Sequence, residues 1–517
     1  MNKWTKGSWK NFPVQQQPTY NNLEQLQREL QKIKQVPPVI TKEEVQNFKK
    51  QLKEVSQGER VILHMGDCAE RFTDCTPQII TQKQIFMEIC SEIIQNITGK
   101  KVLKVGRIAG QFGKPRSQEY DEQGIYNYKG DNINSLDIND RTPDPQKLYQ
   151  GFLCTLSTVN IIRGNFINFL DDHRNYQSIK NQMTDHFRTL SNHEHVVDVI
   201  DLLDKCQDSF NQMYPSEEEI EQHKKCINNR QQYDQESENK HQILLQNINE
   251  HGNNLKSEMM RTSHEGLILD LEEAQTFETS QGEFYNLSTD FLWVGLRTNQ
   301  IDGAHIEYVR GIKNPIGVKI GPQTTEEQFL SICSIVNPEN KNNKLIIIPR
   351  LGAKNIKNVL PKLIQTKIKN NLNFIWMLDA MHGNTETENS FKVRKIDNII
   401  SEIKDFCQIL HQYNQQIGGL SLEATHEDVT ECLGTGIDSH NLCTNYKTAC
   451  DPRLNGLQTL QILYEFTNYH NQLINNDTQN YLNQIEQQQD SAYLSQNKSP
   501  KQQFQMKQTQ NFSSVNA

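Results

Sequence analysis

The chain has 517 residues, a formal net charge of −9 at pH 7 and a hydrophobic fraction of 35%, below the roughly 45–50% of an ordinary globular chain. Its positive charge is dispersed, which argues against a nucleic-acid surface. The absence of any apolar run near the roughly 20 residues of a membrane span argues against a membrane partner.

The eleven cysteines are odd in number and irregularly spaced. Because the N-terminus lacks a signal-peptide core, we interpret them as reduced thiols of a cytoplasmic protein and not as a disulfide framework. The N-terminus is also not rich in Arg and Ser like a typical transit peptide, which argues more weakly against plastid import.

Residues 1–59 are predicted to form an N-terminal arm. An irregular stretch with Trp and Pro precedes two helical patterns, at 22–34 and 41–55. Thr41 with Glu44 fits a capping box, and Gly58 is placed to end the second helix. We interpret the arm as a packing or oligomer segment.

From residue 60 onward, apolar runs are followed by polar turns that contain glycine. A predicted strand at 60–65 leads to GDCAERF with Cys68, and a predicted strand at 101–105 leads to GRIAGQFGKPRS. The second segment carries Arg107, Lys114, Arg116 and Ser117 among glycines. Glycines let backbone amides approach an anion, and Arg can hold a phosphate or carboxylate with two hydrogen bonds. An inert thiol and an ordinary basic turn are the alternative interpretations.

The composition becomes polar and charged from about 171 to 260. We predict a helical insertion with a flexible, exposed centre, in which Ser216 and Glu219 could cap a helix. His193 and His195 are two positions apart and would face apart on a helix, so they are a poor metal-binding pair.

The rhythm of apolar run and polar turn resumes after Ser263. Predicted strands at 291–295, 316–321, 345–350, 374–378 and 418–424 deliver in turn Arg297, Lys319, Arg350, His382 and Glu423. A last segment, YKTACDPRLN, presents Asp451. Helical patterns lie between the strands, and the tail from 476 to 517 is rich in Gln and Asn and is predicted to be disordered.

Alternating strands and helices with functional side chains at the carboxyl ends of the strands predict an α/β fold, a (β/α)8 barrel over residues 60–475 that includes the polar insertion. A doubly wound sheet is the alternative, but it concentrates its ligands at one switch point. Here the candidate residues are spread over most of the chain.

The candidate residues form two chemical groups. Cys68, His382, Glu423 and Asp451 combine thiolate, imidazole and carboxylate, a set that suits Mn²⁺, Fe²⁺, Co²⁺ or Zn²⁺. The second group is cationic and indicates a substrate with more than one anionic group, such as a sugar phosphate or a phosphoenol acid; it comprises Arg107, Lys114, Arg116, Arg297, Lys319 and Arg350. A Lewis acid beside such cations fits carbon–carbon bond formation.

The chain resembles the class II (plant-type) 3-deoxy-D-arabino-heptulosonate 7-phosphate (DAHP) synthases. The resemblance runs in order from about Trp9 to Tyr464 and rests on the motifs GDCAERF, GRIAGQFGKPRS, GDNIN with RTPDP, SHEGLILDLEEA, RTNQIDGAHIEYVRGIKNPIGVKIGP, RLGA, DAMHGNT, VTECLGTG and ACDPRLN. It implies a (β/α)8 barrel that condenses phosphoenolpyruvate (PEP) with D-erythrose 4-phosphate and water in the first step of the shikimate pathway.

The resemblance also implies residue roles. The metal, with Mn²⁺ the first expectation, would be held by Cys68, His382, Glu423 and Asp451. PEP would be held by Arg107, Arg297, Lys319 and Arg350, and the erythrose phosphate by Arg116 and Ser117 with Lys114 nearby. Cys68, Lys319 and His382 would be the catalytic residues. The enol carbon would attack a polarised aldehyde, water would add to the resulting cation, and phosphate would leave.

Four positions depart from the family pattern. Leu296 stands where a Glu is usual, Ser421 where a His is usual two residues before the Glu ligand, Ala380 in place of the Pro of DPMH, and His426 in place of a Gly. Because groups around a metal orient its ligands, these changes motivate an alternative: a catalytically weakened relative that acts as a binding or regulatory subunit. A related aldolase that uses another aldehyde is a third reading.

Two further expectations concern regulation and assembly. Cys450 adjoins the proposed ligand Asp451, so oxidation could link it to Cys68 if the two thiols approach, although a plain buried thiol is the simpler interpretation. We expect a homo-oligomer, either a dimer or a tetramer, with the N-terminal helices and the polar region as candidate interfaces.

Overall fold

The computed structural model describes residues 3–121, 123–171, 173–189 and 258–474, with the side chains of 166–180 left out. Most of the predicted polar insertion, including the cap at Ser216 and the pair His193 and His195, lies outside the described residues, as does the predicted tail at 476–517. The chain divides into two units, Met1–Thr467 and Asn468–Ala517. Every site residue discussed below belongs to the first.

The described helices and strands alternate through most of the chain. The α-helices are α1 (Leu23–Gln35), α2 (Lys42–Ser56), α3 (Pro77–Thr98), α4 (Gln146–Asp171), α5 (His173–Thr189), α6 (Leu269–Ala274), α7 (Ala304–Gly311), α8 (Glu326–Val336), α9 (Ile356–Lys369), α10 (Ile396–Gln412) and α11 (456–474). The strands are β1 (Arg60–Gly66), β2 (Lys101–Arg107), β3 (Arg261–Glu265), β4 (Thr276–Glu278), β5 (Phe284–Asn286), β6 (Phe291–Val294), β7 (Ile316–Ile320), β8 (Leu345–Pro349), β9 (Ile375–Asp379), β10 (Thr385–Glu388), β11 (Phe391–Arg394) and β12 (Gly419–Glu423).

Eight parallel strands close into a barrel in the order β1-β12-β9-β8-β7-β6-β3-β2, and β2 pairs with β1. The predicted (β/α)8 fold is therefore confirmed. The remaining strands form two antiparallel hairpins, β4 with β5 and β10 with β11. Because all eight barrel strands are parallel, their carboxyl ends meet at one mouth.

Most of the barrel strands are largely apolar because both faces of a barrel strand are covered, whereas β3 has the polar sequence RTSHE. Phe291, Trp293, Ile346 and Met377 fill the barrel interior in one cluster with other buried side chains. Close packing also requires glycine at Gly419, which has φ +154°, since a Cβ there would lie 2.1 Å from the carbonyl oxygen of Ile62. β12 and β1 therefore approach each other more closely at Gly419 than any side chain there would allow.

The N-terminal arm packs against the barrel. The capping box of Thr41 and Glu44 is present, and Gly58 has φ +79° just after α2. Phe48 of α2 shares the interior cluster of the barrel, and Trp9 donates a hydrogen bond of 2.9 Å from Nε1 to Glu273 Oε2. The packing role of the arm is therefore visible, whereas its role in an oligomer stays a prediction.

The described cysteines and helices have two properties of note. Each of the nine cysteines in the described part of the chain is a free thiol. Among the same residues, no helix has both the length and the apolar character that crossing a membrane requires.

Candidate active site

The mouth of the barrel collects side chains from every barrel strand. Cys68 follows β1, Lys114 follows β2, Glu265 ends β3, Arg297 follows β6, Lys319 lies in β7, Arg350 follows β8, His382 follows β9, and Glu423 ends β12. Asp451 lies in the loop between β12 and α11. Residues far apart in the sequence therefore meet at one place, as the barrel topology requires.

Three of the four predicted metal ligands converge, and the fourth, His382, lies beside two of them. The ligand atoms of Cys68, Glu423 and Asp451 all lie within 4.8 Å of one another. His382 Nε2 lies 3.1 Å from Glu423 Oε1 and 3.9 Å from Asp451 Oδ2. One cation could thus contact a thiol and two carboxylates at once, with the imidazole of His382 beside two of these three ligands.

The Lys114 ammonium lies among these ligands. Its Nζ is 2.9 Å from Cys68 Sγ, 3.0 Å from Asp451 Oδ2 and 3.4 Å from Glu423 Oε1. Burial disfavours the charge of Lys114, but Asp451, Cys68 and Glu423 outweigh burial and hold its pKa well above the usual value of a lysine. The donor set therefore already stabilises a positive charge at its centre, and its chemistry fits a divalent ion.

Burial controls the protonation of the thiol and the carboxylate differently. Burial, contact with Cys450 and the charge of Glu423 hold the pKa of Cys68 well above its usual value. Burial would also raise the pKa of Glu423, but His382, Lys114 and Arg394 hold it well below its usual value. The carboxylate is thus ionised before any metal binds, whereas the thiol stays protonated although the neighbouring Lys114 ammonium opposes the rise of its pKa, so a bound metal would have to displace that proton.

Asp379 orients two of the predicted catalytic groups. Its Oδ2 accepts hydrogen bonds from His382 Nδ1 at 2.7 Å and from Lys319 Nζ at 2.6 Å. Because Nδ1 of His382 donates to Asp379, Nε2 is the nitrogen that faces Glu423, where it is placed to bind a metal. Asp379 Oδ1 accepts the backbone N–H groups of Met381 and His382, which fixes the turn.

Three of the predicted anion-binding cations lie near Trp293 and His382, and one of them, Arg107, also lies 3.0 Å from Glu423 Oε1. The Arg107 guanidinium lies 5.0 Å from the centre of the Trp293 ring, and Lys319 Nζ lies 5.9 Å from it. Arg350 donates a hydrogen bond of 3.1 Å to the carbonyl oxygen of His382. Burial and the neighbouring Arg107 lower the pKa of Lys319 although Asp379 opposes the shift. The cations are thus closely spaced and desolvated, with Asp379 bonded to Lys319 and Glu423 to Arg107.

The KPRS segment forms the outer part of the mouth. Arg297 donates a hydrogen bond of 2.7 Å to Ser117 Oγ, and the backbone N–H of Arg116 donates one of 2.9 Å to Gln16 Oε1 in the N-terminal arm. Ser117 is exposed, whereas Lys114 is buried among the metal ligands. The segment therefore extends from the ligand cluster to the surface.

Comparison with known proteins agrees with this geometry. The model of the class-II DAHP synthetase family matches residues 4–467. The chain belongs to this family.

Its relatives carry the name phospho-2-dehydro-3-deoxyheptonate aldolase. The protein of Neurospora crassa is 32% identical over 91% of this chain and 95% of its own length, and that of Streptomyces coelicolor is 30% identical over 88% and 95%. The AroG protein of Mycolicibacterium smegmatis is 30% identical over 84% and 87%. The predicted function is confirmed: this DAHP synthase condenses PEP with erythrose 4-phosphate in the first step of the shikimate pathway.

The four departures from the family pattern occupy defined places in this DAHP synthase. Leu296 lies against Gly321, where an added Cβ would come within 2.8 Å of Leu296 Cδ2. Ala380, two residues before His382, is fully buried, and Ser421 is buried in β12. Burial lowers the pKa of His426. None of the four removes a predicted ligand or cation, and nothing favours the alternative of a regulatory subunit.

Three residues near the site were not singled out as functional from the sequence. Asp379 could have been recognised because it stands three residues before His382 in the same motif. Glu265 ends β3 in the SHEG motif, and its buried Oε1 has no hydrogen-bond partner. Arg394, which lies 2.8 Å from Glu423 Oε2, comes from the β10–β11 hairpin, and no motif pointed to it.

Proposed function

We propose that this DAHP synthase is metal-dependent and that Cys68, His382, Glu423 and Asp451 hold the ion. The observation that carries this proposal is the convergence of the ligand atoms of Cys68, Glu423 and Asp451 within 4.8 Å, with His382 Nε2 3.1 Å from Glu423 Oε1. A bound divalent ion would supply Lewis-acid polarisation of the aldehyde carbonyl. Mn²⁺ is the first candidate, and Co²⁺, Fe²⁺ and Zn²⁺ suit the same donors.

Arg107, Lys319 and Arg350 are proposed to bind PEP. The three cations are buried or nearly so and lie around the Trp293 and His382 side of the mouth. Two anionic groups on one small substrate would offset their mutual repulsion, because charges in a desolvated pocket interact strongly. The same cations would stabilise the negative charge on the departing phosphate.

The phosphate of erythrose 4-phosphate is proposed to bind at Arg116 and Ser117, with Lys114 between this segment and the metal ligands. The sequence resemblance placed Arg297 with PEP, and the hydrogen bond from Arg297 to Ser117 supports an additional contact with the erythrose phosphate. Arg297 would then lie at the boundary between the two substrates.

Glu265 is proposed to exchange a proton with the water that adds to the PEP-derived cation. Burial raises the pKa of Glu265, although Lys319, Lys114 and Arg107 oppose the shift. A carboxyl group with a raised pKa and an unpartnered oxygen beside the anion-binding cations is suited to such a transfer. Lys319, held by Asp379, would keep the enol carbon in position.

The compartment and assembly remain proposals from the sequence. We propose a cytoplasmic homo-oligomer, a dimer or a tetramer, in which the N-terminal helices are candidate interface elements. Another aldehyde acceptor in place of erythrose 4-phosphate would be revealed by a substrate panel.

Phosphate release measured against a metal series tests the metal proposal. Release should require both substrates, stop in EDTA and return on addition of Mn²⁺, Co²⁺, Fe²⁺ or Zn²⁺. C68S should lose bound metal, as measured by elemental analysis, whereas C443S, which changes an exposed cysteine, should keep it. Full activity in EDTA with no bound metal would overturn the proposal.

A further inference from the structure

His64 and Ser421 are direct neighbours on adjacent barrel strands. β1 pairs with β12 in parallel, and the register places His64 opposite Ser421. The other neighbour of Ser421 is Asp379 on β9, the carboxylate that holds His382 and Lys319. Ser421 stands where the family pattern has a His, and the imidazole of His64 lies beside it.

The buried His64 ring is held at both nitrogens. Nδ1 lies 2.9 Å from Ser421 Oγ, and Nε2 lies 3.0 Å from Ser263 Oγ. Ser263 donates its own hydroxyl proton to the carbonyl oxygen of Gly106 at 2.6 Å. Since that proton is used, Nε2 of His64 must carry a proton and donate it to Ser263, and Nδ1 must accept from the Ser421 hydroxyl.

These bonds form one directed chain across four strands, from Ser421 of β12 to His64 of β1, Ser263 of β3 and Gly106 of β2. Residues two positions further along a strand face the same side. Glu423 stands two residues after Ser421, and Glu265 stands two residues after Ser263. The chain of bonds therefore fixes the strand positions from which both carboxylates reach into the mouth.

His64 also packs against Trp293, the ring beneath the anion-binding cations. Its ring meets the Trp293 ring edge-on, with the centroids 5.1 Å apart and the planes at 74°. Trp293 is in turn the ring over which Arg107 and Lys319 lie. Burial, with Arg107 and Lys319, holds the pKa of His64 well below its usual value, in agreement with the neutral form that the hydrogen bonds require.

We propose that His64 is a positioning residue for PEP binding. It supplies from β1 the imidazole that position 421 of β12 lacks. It acts through its contact with Trp293 and through its hydrogen bonds to Ser421 and Ser263. The inference rests on the proposed assignment of Arg107 and Lys319 to PEP.

An exchange of the two side chains tests this inference. H64S should raise the KM for PEP about tenfold or more and weaken PEP binding, measured by calorimetry without the aldehyde, to a similar extent. S421H should also be impaired, because two imidazoles would compete for one space. The double variant H64S/S421H restores a single imidazole and should recover most of the PEP affinity.

H305S is the matched control, because it removes an equally buried imidazole, one that bonds the carbonyl oxygen of Leu267. It should lower the melting temperature without changing the KM for PEP. An H64S variant that behaves like this control, or a double variant no better than H64S, would overturn the inference. If H64S fails to fold, the double variant carries the test, since it keeps one imidazole. Wild-type protein that binds no PEP would instead overturn the assignment of the anion site, and the inference with it.

Discussion

Arg297 donates a hydrogen bond of 2.7 Å to Ser117, although 180 positions separate them in the chain. The contact links the cations near Trp293 to the KPRS segment. We predict that R297K raises the KM for erythrose 4-phosphate about tenfold, a loss of about 1.4 kcal/mol, because Lys cannot form the two-pronged contact of a guanidinium with phosphate. Steady-state kinetics with each substrate varied in turn measures the effect.

R350K is the matched control for this prediction. Arg350 contacts the His382 carbonyl oxygen and not Ser117, so the conservative change there should raise the KM for PEP more than that for the aldehyde. An R297K variant in which only the KM for PEP rises would place Arg297 wholly in the PEP site.

Asp379 is predicted to control both metal affinity and PEP binding. D379N replaces one of two acceptor oxygens with a donor, so His382 Nδ1 and Lys319 Nζ can no longer both bond to a carboxylate. Loss of such an orienting group costs about 10–100-fold in metal affinity. Titration of the metal-free protein against a competing chelator measures the metal affinity, and calorimetry measures the PEP affinity.

D397N should leave both affinities unchanged, since Asp397 is exposed in the first turn of α10. Wild-type affinity for metal and for PEP in D379N would show that His382 is oriented by the backbone alone.

Cys68 and Cys450 are predicted to form a disulfide in the metal-free protein. The two thiols belong to one buried cluster, and the neighbouring Cys68 lowers the pKa of Cys450 although burial opposes the shift. Diamide would take up the two electrons and two protons that the thiols release, and the bond would remove Cys68 as a metal ligand. Mass spectrometry should find the linked peptides, and metal uptake should fail until a reductant is added.

C450S should stay able to load metal after diamide, and bound metal should protect the wild-type pair. Absence of the linked peptides from oxidised metal-free protein would support the simpler interpretation of Cys450 as a buried thiol.

The sequence was sufficient for the barrel and for most of the residues at its mouth. Cys68, His382 and Glu423 each follow or end a continuous apolar run, and a parallel barrel brings the ends of such runs together. Asp451 was also singled out, but it follows a loop and not a strand, so the strand pattern did not place it at the mouth. The register and the hydrogen bonds determine the rest: His64 lies in the middle of β1, where a histidine reads as a core residue, and its partnership with Ser421 depends on which strands are adjacent.

His305 is predicted to make stability depend on pH. It lies in the first turn of α7, and its Nε2 is 2.9 Å from the carbonyl oxygen of Leu267. Burial lowers the pKa of His305 to about 4, although the bond to Leu267 opposes the shift, whereas an unfolded His titrates near about 6.5. The unfolded chain therefore binds a proton between these values that the folded chain does not. The stability that His305 contributes is complete above about pH 6.5 and is lost as the pH falls towards 4, with no further change below that. The total loss is about 3 kcal/mol at most.

H305Q removes the titrating group and keeps a donor, so the loss of stability between pH 7 and pH 4.5 should be smaller than in the wild type. Urea unfolding at the two pH values measures the difference, and H440Q, at an exposed position, should retain the full wild-type loss. If the free energies of unfolding of H305Q and wild type differ by the same amount at both pH values, the imidazole of His305 is not the group that titrates. A side chain that never takes up a proton contributes the same free energy at either pH.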